Sequence, residues 1–172
     1  MEEWKMYTTI AEFIQEWNQE AASTQKVMDT LTDASLQQQV FPNGRTLGRI
    51  AWHITTSIPE LFSHFGIKMD MVKDSDTVPS SAKEIAENFR KVSADAAEAV
   101  KQQWTDESLK QVQNAFGRDL PNAAILSLLI KHIIHHRGQM TVLMRQAGLQ
   151  VPGVYGPSKE EWSKLGMEPP KI

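Results

Sequence analysis

A chain of 172 residues, 41% hydrophobic and 23% charged, is long enough for one domain with a sizeable core and too short for two; its composition excludes a disordered tail or a fibre. Its 18 Lys and Arg against 21 Asp and Glu leave a formal net charge of −3, so strong electrostatic attraction for nucleic-acid phosphates is excluded as well. The absence of cysteine removes disulfides, thiolate metal ligands, iron–sulfur clusters and a cysteine nucleophile together, and any metal must be held by His, Asp or Glu.

The first residues, Met1-Glu2-Glu3-Trp4-Lys5, are acidic and mixed, unlike the basic and then apolar start of a signal peptide. From about residue 9 to 31, Ile14, Trp17, Ala21, Thr24, Met28 and Leu31 recur at spacings of three and four, the seam of an amphipathic bundle helix. The turn residues Pro42-Asn43-Gly44 lead to Thr46 as an N-cap. A second helix follows, marked by Leu47, Ile50, Ile54, Ile58, Leu61 and Phe65, with Pro59 expected to kink it.

Residues 70–80 are polar, contain Pro79 and read as a loop; Ser81-Ala82-Lys83-Glu84 is then a capping-box signature. The third helix carries Ile85, Phe89, Val92, Ala96, Ala99 and Val100 and runs to about Trp104. A fourth begins near Pro121 and runs to Ala147, where Gly148 supplies the stop. Its apolar stretch, residues 123–134, is interrupted by Ser127, Lys131 and His132 and falls short of the roughly 20 apolar residues of a membrane span. With no strand-like alternation, the expectation is an all-α, up-down four-helix bundle over residues 8–148, with a long crossover at residues 66–80. An irregular tail, residues 149–172, wraps over it with one short turn near residues 160–165, and the whole chain, 1–172, is a single domain.

The fourth helix carries Lys131-His132-Ile133-Ile134-His135-His136-Arg137-Gly138-Gln139. At about 100° per residue, His136 lies about 40° from His132, in the middle of an apolar stripe. Imidazoles at i and i+4 can converge on one metal ion, although a pair of hydrogen-bonded core histidines has the same spacing. His53, on the second helix, is a third candidate ligand, because a bundle core recruits ligands from facing helices. Ser57, Glu60 and His64 share its face, and Glu60 is the candidate general base. His135 lies off the stripe and reads as a surface residue and His64 as a rim residue. Gln139 falls near the ligand stripe, whereas Arg137 points away toward an acid or the tail, and Gly138 suggests a close helix approach. Trp17, Trp52 and Trp104 read as core or seam aromatics. Phosphate-binding glycine loops, a serine-hydrolase elbow and the Glu-x-x-His pairs of di-iron bundles are all missing.

The strings Leu47-Gly48-Arg49-Ile50-Ala51-Trp52-His53-Ile54, His132-Ile133-Ile134-His135-His136-Arg137-Gly138-Gln139 and Val151-Pro152-Gly153-Val154-Tyr155-Gly156-Pro157 together resemble the DinB-like (DNA-damage-inducible) family of metal-binding four-helix bundles. That family is related to thiol-dependent transferases, including bacillithiol S-transferases and mycothiol-dependent maleylpyruvate isomerases. The resemblance implies a divalent metal, zinc or nickel, on His53, His132 and His136. It also implies a low-molecular-weight thiol cosubstrate, a small-molecule substrate and a homodimer, for which Ile130, Ile134 and Met144 offer apolar surface outside the ligand stripe. The expectation is a cytoplasmic, metal-dependent thiol S-transferase with neither a nucleic acid nor a membrane as partner. The alternative is a non-catalytic metal-binding protein of stress response or interaction; a third reading leaves the histidines as core hydrogen-bonders of an inert bundle.

Overall fold

A computed structural model describes residues 6–171. Helix α1 (Ile10–Met28) opens on a reciprocal cap: the Thr9 hydroxyl accepts from the Glu12 amide, and the Glu12 carboxylate accepts from the Thr9 amide. Two amides that a helix start leaves orphaned are thereby satisfied. A 3₁₀ turn at Asp33–Gln37 precedes α2 (Leu47–His64), whose cap is Thr46 as expected, its hydroxyl 3.1 Å from the Arg49 amide. α2 runs through Pro59 as one helix. The expected box at α3 (Ala82–Gln103) is one-sided: Ser81 caps Glu84, while the Ala82 amide donates to Asp33 at 2.7 Å. α4 (Asn122–Gln146) ends where predicted, with Gly148 in the left-handed region at φ 76° and the Leu149 amide reaching back to the Met144 carbonyl.

α1 and α2 each pack against both α3 and α4, so helices consecutive in the pairs α1/α2 and α3/α4 face each other across a diagonal. Ile10 bonds to Asp106 just past the end of α3, and Asp29 past the end of α1 pairs with Arg90, so α1 and α3 are antiparallel. α2 and α3 run parallel. Their starts meet where Val78 approaches Gly48, and their ends meet where Lys68 and Gln103 exchange hydrogen bonds of 2.8 and 2.7 Å. The expected crossover at residues 66–80 makes this possible, since a chain returning to the same end needs a long connection. Gly48 matters here: a Cβ on it would sit 3.1 Å from Leu36 Cβ, so a side chain in the first turn of α2 would push the preceding 3₁₀ turn away by a few tenths of an ångström.

Helical periodicity did not anticipate one element, an antiparallel hairpin of β1 (Val112–Ala115) and β2 (Arg118–Pro121) with Ala115 opposite Arg118. Each strand has four residues and is mostly exposed, too short and too little buried to imprint an alternating pattern. The turn, Phe116-Gly117, has positive φ at both positions, 54° and 82°, as a type I′ turn requires. Buried Asn122 joins the hairpin to α4: it accepts from Gln113 at 2.6 Å and donates to the Ser108 carbonyl at 2.8 Å.

Trp17, Trp52 and Trp104 lie in the core as expected, and the first two indoles donate to the carbonyls of Ser93 and Ser75 at 2.8 Å each. Two expectations for α4 are corrected. Ile130 and Met144 are buried within the bundle rather than available to a second copy, because α4 has helices on two sides and needs a wide apolar face. Gly138 serves no close approach: it faces solvent, and a Cβ there would meet nothing within 4 Å. The tail carries its short turn at Trp162–Leu165 and is tied to α4 by an Arg145–Glu160 ion pair, while within it Glu161 accepts from the Gly153 and Ser158 amides. Among the described residues no helix is long and apolar enough to cross a membrane.

Candidate metal centre

The i, i+4 spacing on α4 stacks His132 and His136 one turn apart, with ring centroids 4.5 Å from each other. α2 lies against the same face and brings His53 within 4.7 Å of His136 and 5.1 Å of His132, centroid to centroid. One ring nitrogen from each of the three lies within 4.8 Å of the others. The rings meet edge to face, with interplanar angles of 72°, 90° and 80°, so they converge on a point instead of stacking. His136 is buried and the other two are half-buried.

Burial pushes the His53 and His132 imidazoles down to about 4, reinforced by neighbouring imidazoles and by the charge of Arg45. Burial lowers His136 too, partly opposed by its hydrogen bond to Gln139. All three are therefore neutral at neutral pH, the state in which imidazole offers a lone pair. The His136 Nδ1 to Gln139 Oε1 distance is 2.8 Å; an amide oxygen only accepts, so Nδ1 carries the proton and Nε2 is left as the donor atom. The Ser57 hydroxyl lies 3.2 Å from His132 Nε2. Three neutral nitrogen donors this close suit a divalent transition-metal ion of borderline softness.

The remaining candidates separate clearly. Glu60 and His64 are exposed, and Glu60 is not grouped with the three imidazoles. His135 is exposed, as expected, and contacts Gln139 at 3.1 Å. Arg137 does point away from the ligands, into an acid and the tail. Its guanidinium pairs with Glu20 Oε2 at 2.7 Å, donates to the Glu20 carbonyl and Thr24 hydroxyl, and reaches the Tyr155 hydroxyl at 2.9 Å. The Tyr155 hydroxyl donates in turn to Glu20 at 2.9 Å. Glu20 escaped the sequence reading; a charged residue among the buried positions of α1, set between Trp17 and Thr24, was its available signal.

A pocket of about 440 Å³ opens between α2 and α4 beside the imidazoles. Leu61 lines it from α2, Phe65 from just past that helix's end, Leu128 from α4 and Phe116 from the hairpin, and Lys131, His132 and His135 are its polar members. The sequence carried no sign of it, because its walls come from three separate segments.

The sequence matches the profile of the DinB family over residues 6–171. It is 46% identical to the protein YrdA of Bacillus subtilis (strain 168) over 167 residues, covering 97% of this chain and all of that one. A crystal structure of a DinB-like protein from Bacillus cereus ATCC 10987 superposes with a TM-score of 0.83 at 53% identity, over 87% of this chain and 100% of the other. YfiT from Bacillus subtilis, described as a probable metal-dependent hydrolase with an unusual four-helix bundle topology, shares the fold at a TM-score of 0.62 and 18% identity, over 82% of this chain and 89% of its own.

Proposed function

The chain belongs to the DinB family, and on that premise we propose that it is a metal-dependent enzyme that transfers a small-molecule thiol to an electrophilic substrate, using zinc or nickel on His53, His132 and His136. The observation that carries this reading is the donor set: three neutral imidazoles, with no carboxylate grouped among them in the described residues, beside a pocket on which His132 opens. A divalent cation so held lowers the pKa of a coordinated thiol or water enough to give a nucleophile at neutral pH.

The chain's own residues favour the thiol. No carboxylate groups with the imidazoles among the described residues to assist a water, and a thiol, with a reference pKa of about 8.5, needs less help to ionise than water does. The chain has no cysteine, so that thiol comes from a small molecule. His136, held by Gln139, and His132, beside Ser57, are oriented before any ligand arrives. Hydrolysis by a metal-bound water is the second reading, supported by the description of YfiT; Glu60, the base the sequence suggested for such a step, stands on the exposed face of α2.

Protein purified without an affinity tag should carry about one divalent metal per chain by elemental analysis, and the His132→Ala, His136→Ala double variant should lose it. Activity is then compared between L-cysteine with 1-chloro-2,4-dinitrobenzene and p-nitrophenyl acetate alone. Triad-dependent thiol transfer supports the first reading, triad-dependent ester hydrolysis the second, and full metal occupancy in the double variant overturns the centre itself.

A further inference from the structure

We infer that the pocket between α2 and α4 receives the apolar, ring-sized body of a small molecule whose polar end meets the three imidazoles, with Phe116 at the hairpin tip as the residue that sets this specificity. The inference rests on the metal-centre reading and adds a substrate class to it. At about 440 Å³ the pocket falls in the range of small-molecule sites. Its walls at Leu61, Phe65, Leu128 and Phe116 are apolar, and its polar members, Lys131, His132 and His135, all belong to α4. His132 belongs to both the pocket and the triad, so a molecule filling the first presents one end to the second.

Phe116 is the independent observation. The first central position of a type I′ turn needs positive φ and favours Asn, Asp or Gly; a bulky residue there is a conformational outlier. Phe116 nevertheless occupies it at φ 54°, with 76% of its surface exposed, so its ring earns neither turn propensity nor core burial. The ring instead stands edge-on to Phe65 at 6.3 Å and to His64 at 6.4 Å, where it walls the pocket. A side chain unfavourable for the turn and wasted on the core is explained by an apolar guest that covers it.

The test uses 2-naphthol as the metal-independent probe and a pair of hydroxamates, acetohydroxamate and 2-naphthohydroxamate, as metal-directed probes, all by titration calorimetry on the full chain. Chelator-treated protein should bind 2-naphthol, and Phe116→Asn should weaken this about tenfold while its melting temperature stays level or rises, because Asn suits the turn. Phe116→Trp should retain binding, and Leu61→Gln, on α2, should reproduce the loss independently of the turn. In zinc-loaded protein 2-naphthohydroxamate should bind at least about tenfold tighter than acetohydroxamate, and Phe116→Asn should erase that advantage. If 2-naphthol binds but zinc improves neither hydroxamate, the metal reading fails and the pocket stands. If acetohydroxamate binds zinc-loaded protein and the naphthyl group adds nothing, the inference is overturned while the metal centre survives. A dimer that dissociates on adding 2-naphthol would identify a second copy as the occupant and overturn it too.

Discussion

Substituting Glu20 by Leu removes the carboxylate that, among the described residues, pairs with the Arg137 guanidinium, in a setting where the two side chains are 10% and 3% exposed. Taking away one partner of a buried ion pair leaves the other charged in a poorly solvated site, at a cost of about 3–5 kcal/mol. Arg137 keeps three other acceptors, the Glu20 main-chain carbonyl at 3.2 Å, the Thr24 hydroxyl at 3.1 Å and the Tyr155 hydroxyl at 2.9 Å, so the lower end of that range applies. For a chain of this size each kcal/mol moves the melting temperature by about 2–4 °C, and 3 kcal/mol predicts a fall of roughly 6–12 °C. Arg137→Met should cost a similar amount by stranding the carboxylate. The double variant Glu20→Leu, Arg137→Met removes both charges and should recover at least about 2 kcal/mol of the summed loss, since well-packed apolar replacements of buried pairs are often neutral. Urea denaturation followed by circular dichroism, with melts in parallel, measures all four corners of the cycle. Additive single effects, or singles costing less than about 1 kcal/mol, would refute the claim that this pair is a desolvated unit pinning α4 to α1.

Four further outcomes follow from the site and its helix. His53 and His132 have folded-state values of about 4 against an unfolded value of about 6.5, so between those limits the unfolded chain binds more protons. Stability of chelator-treated protein should therefore be fully present above about pH 6.5 and fall as pH drops toward 4; a urea midpoint that rises toward acid would contradict the burial of these rings. Metal competes with protons only at the folded-state imidazoles, so the difference in melting temperature between zinc-loaded and chelator-treated protein should persist through most of that interval and shrink as pH approaches about 4. Gln139→Ala should weaken metal affinity about 10- to 100-fold in a competition titration with a chromophoric chelator, because His136 loses the acceptor that fixes its Nδ1 proton. Gly138→Ala should raise stability by about 0.5–1 kcal/mol in urea denaturation, since the position is helical and exposed with open space around it; a loss would show that the helix needs its glycine.

The helices, their caps and the pairing of His132 with His136 were legible in the chain because each depends on residues within a few positions of one another. An i, i+4 pair is adjacent on any helix, and Thr46 or Gly148 acts on the turn it borders. The crossover at residues 66–80 was visible as polar sequence, but that it makes α2 and α3 parallel appears only when the helix ends are seen to meet. His53 could be proposed as a third ligand; its approach to within 4.7 Å of His136 is a matter of how α2 and α4 pack. Arg137 was seen to leave the ligand stripe, yet its partner Glu20 lies 117 positions away in the chain. Ile130 and Met144 show the converse, since an apolar residue looks the same whether it faces a neighbouring helix or another molecule, and packing put both inside. The hairpin and the pocket beside His132 were least legible, because two four-residue strands are too short for a pattern and a cavity walled by α2, α4 and a turn exists only once those segments meet. Periodicity determines which face of an element is apolar; which surface covers that face is decided by contacts between residues far apart in the chain.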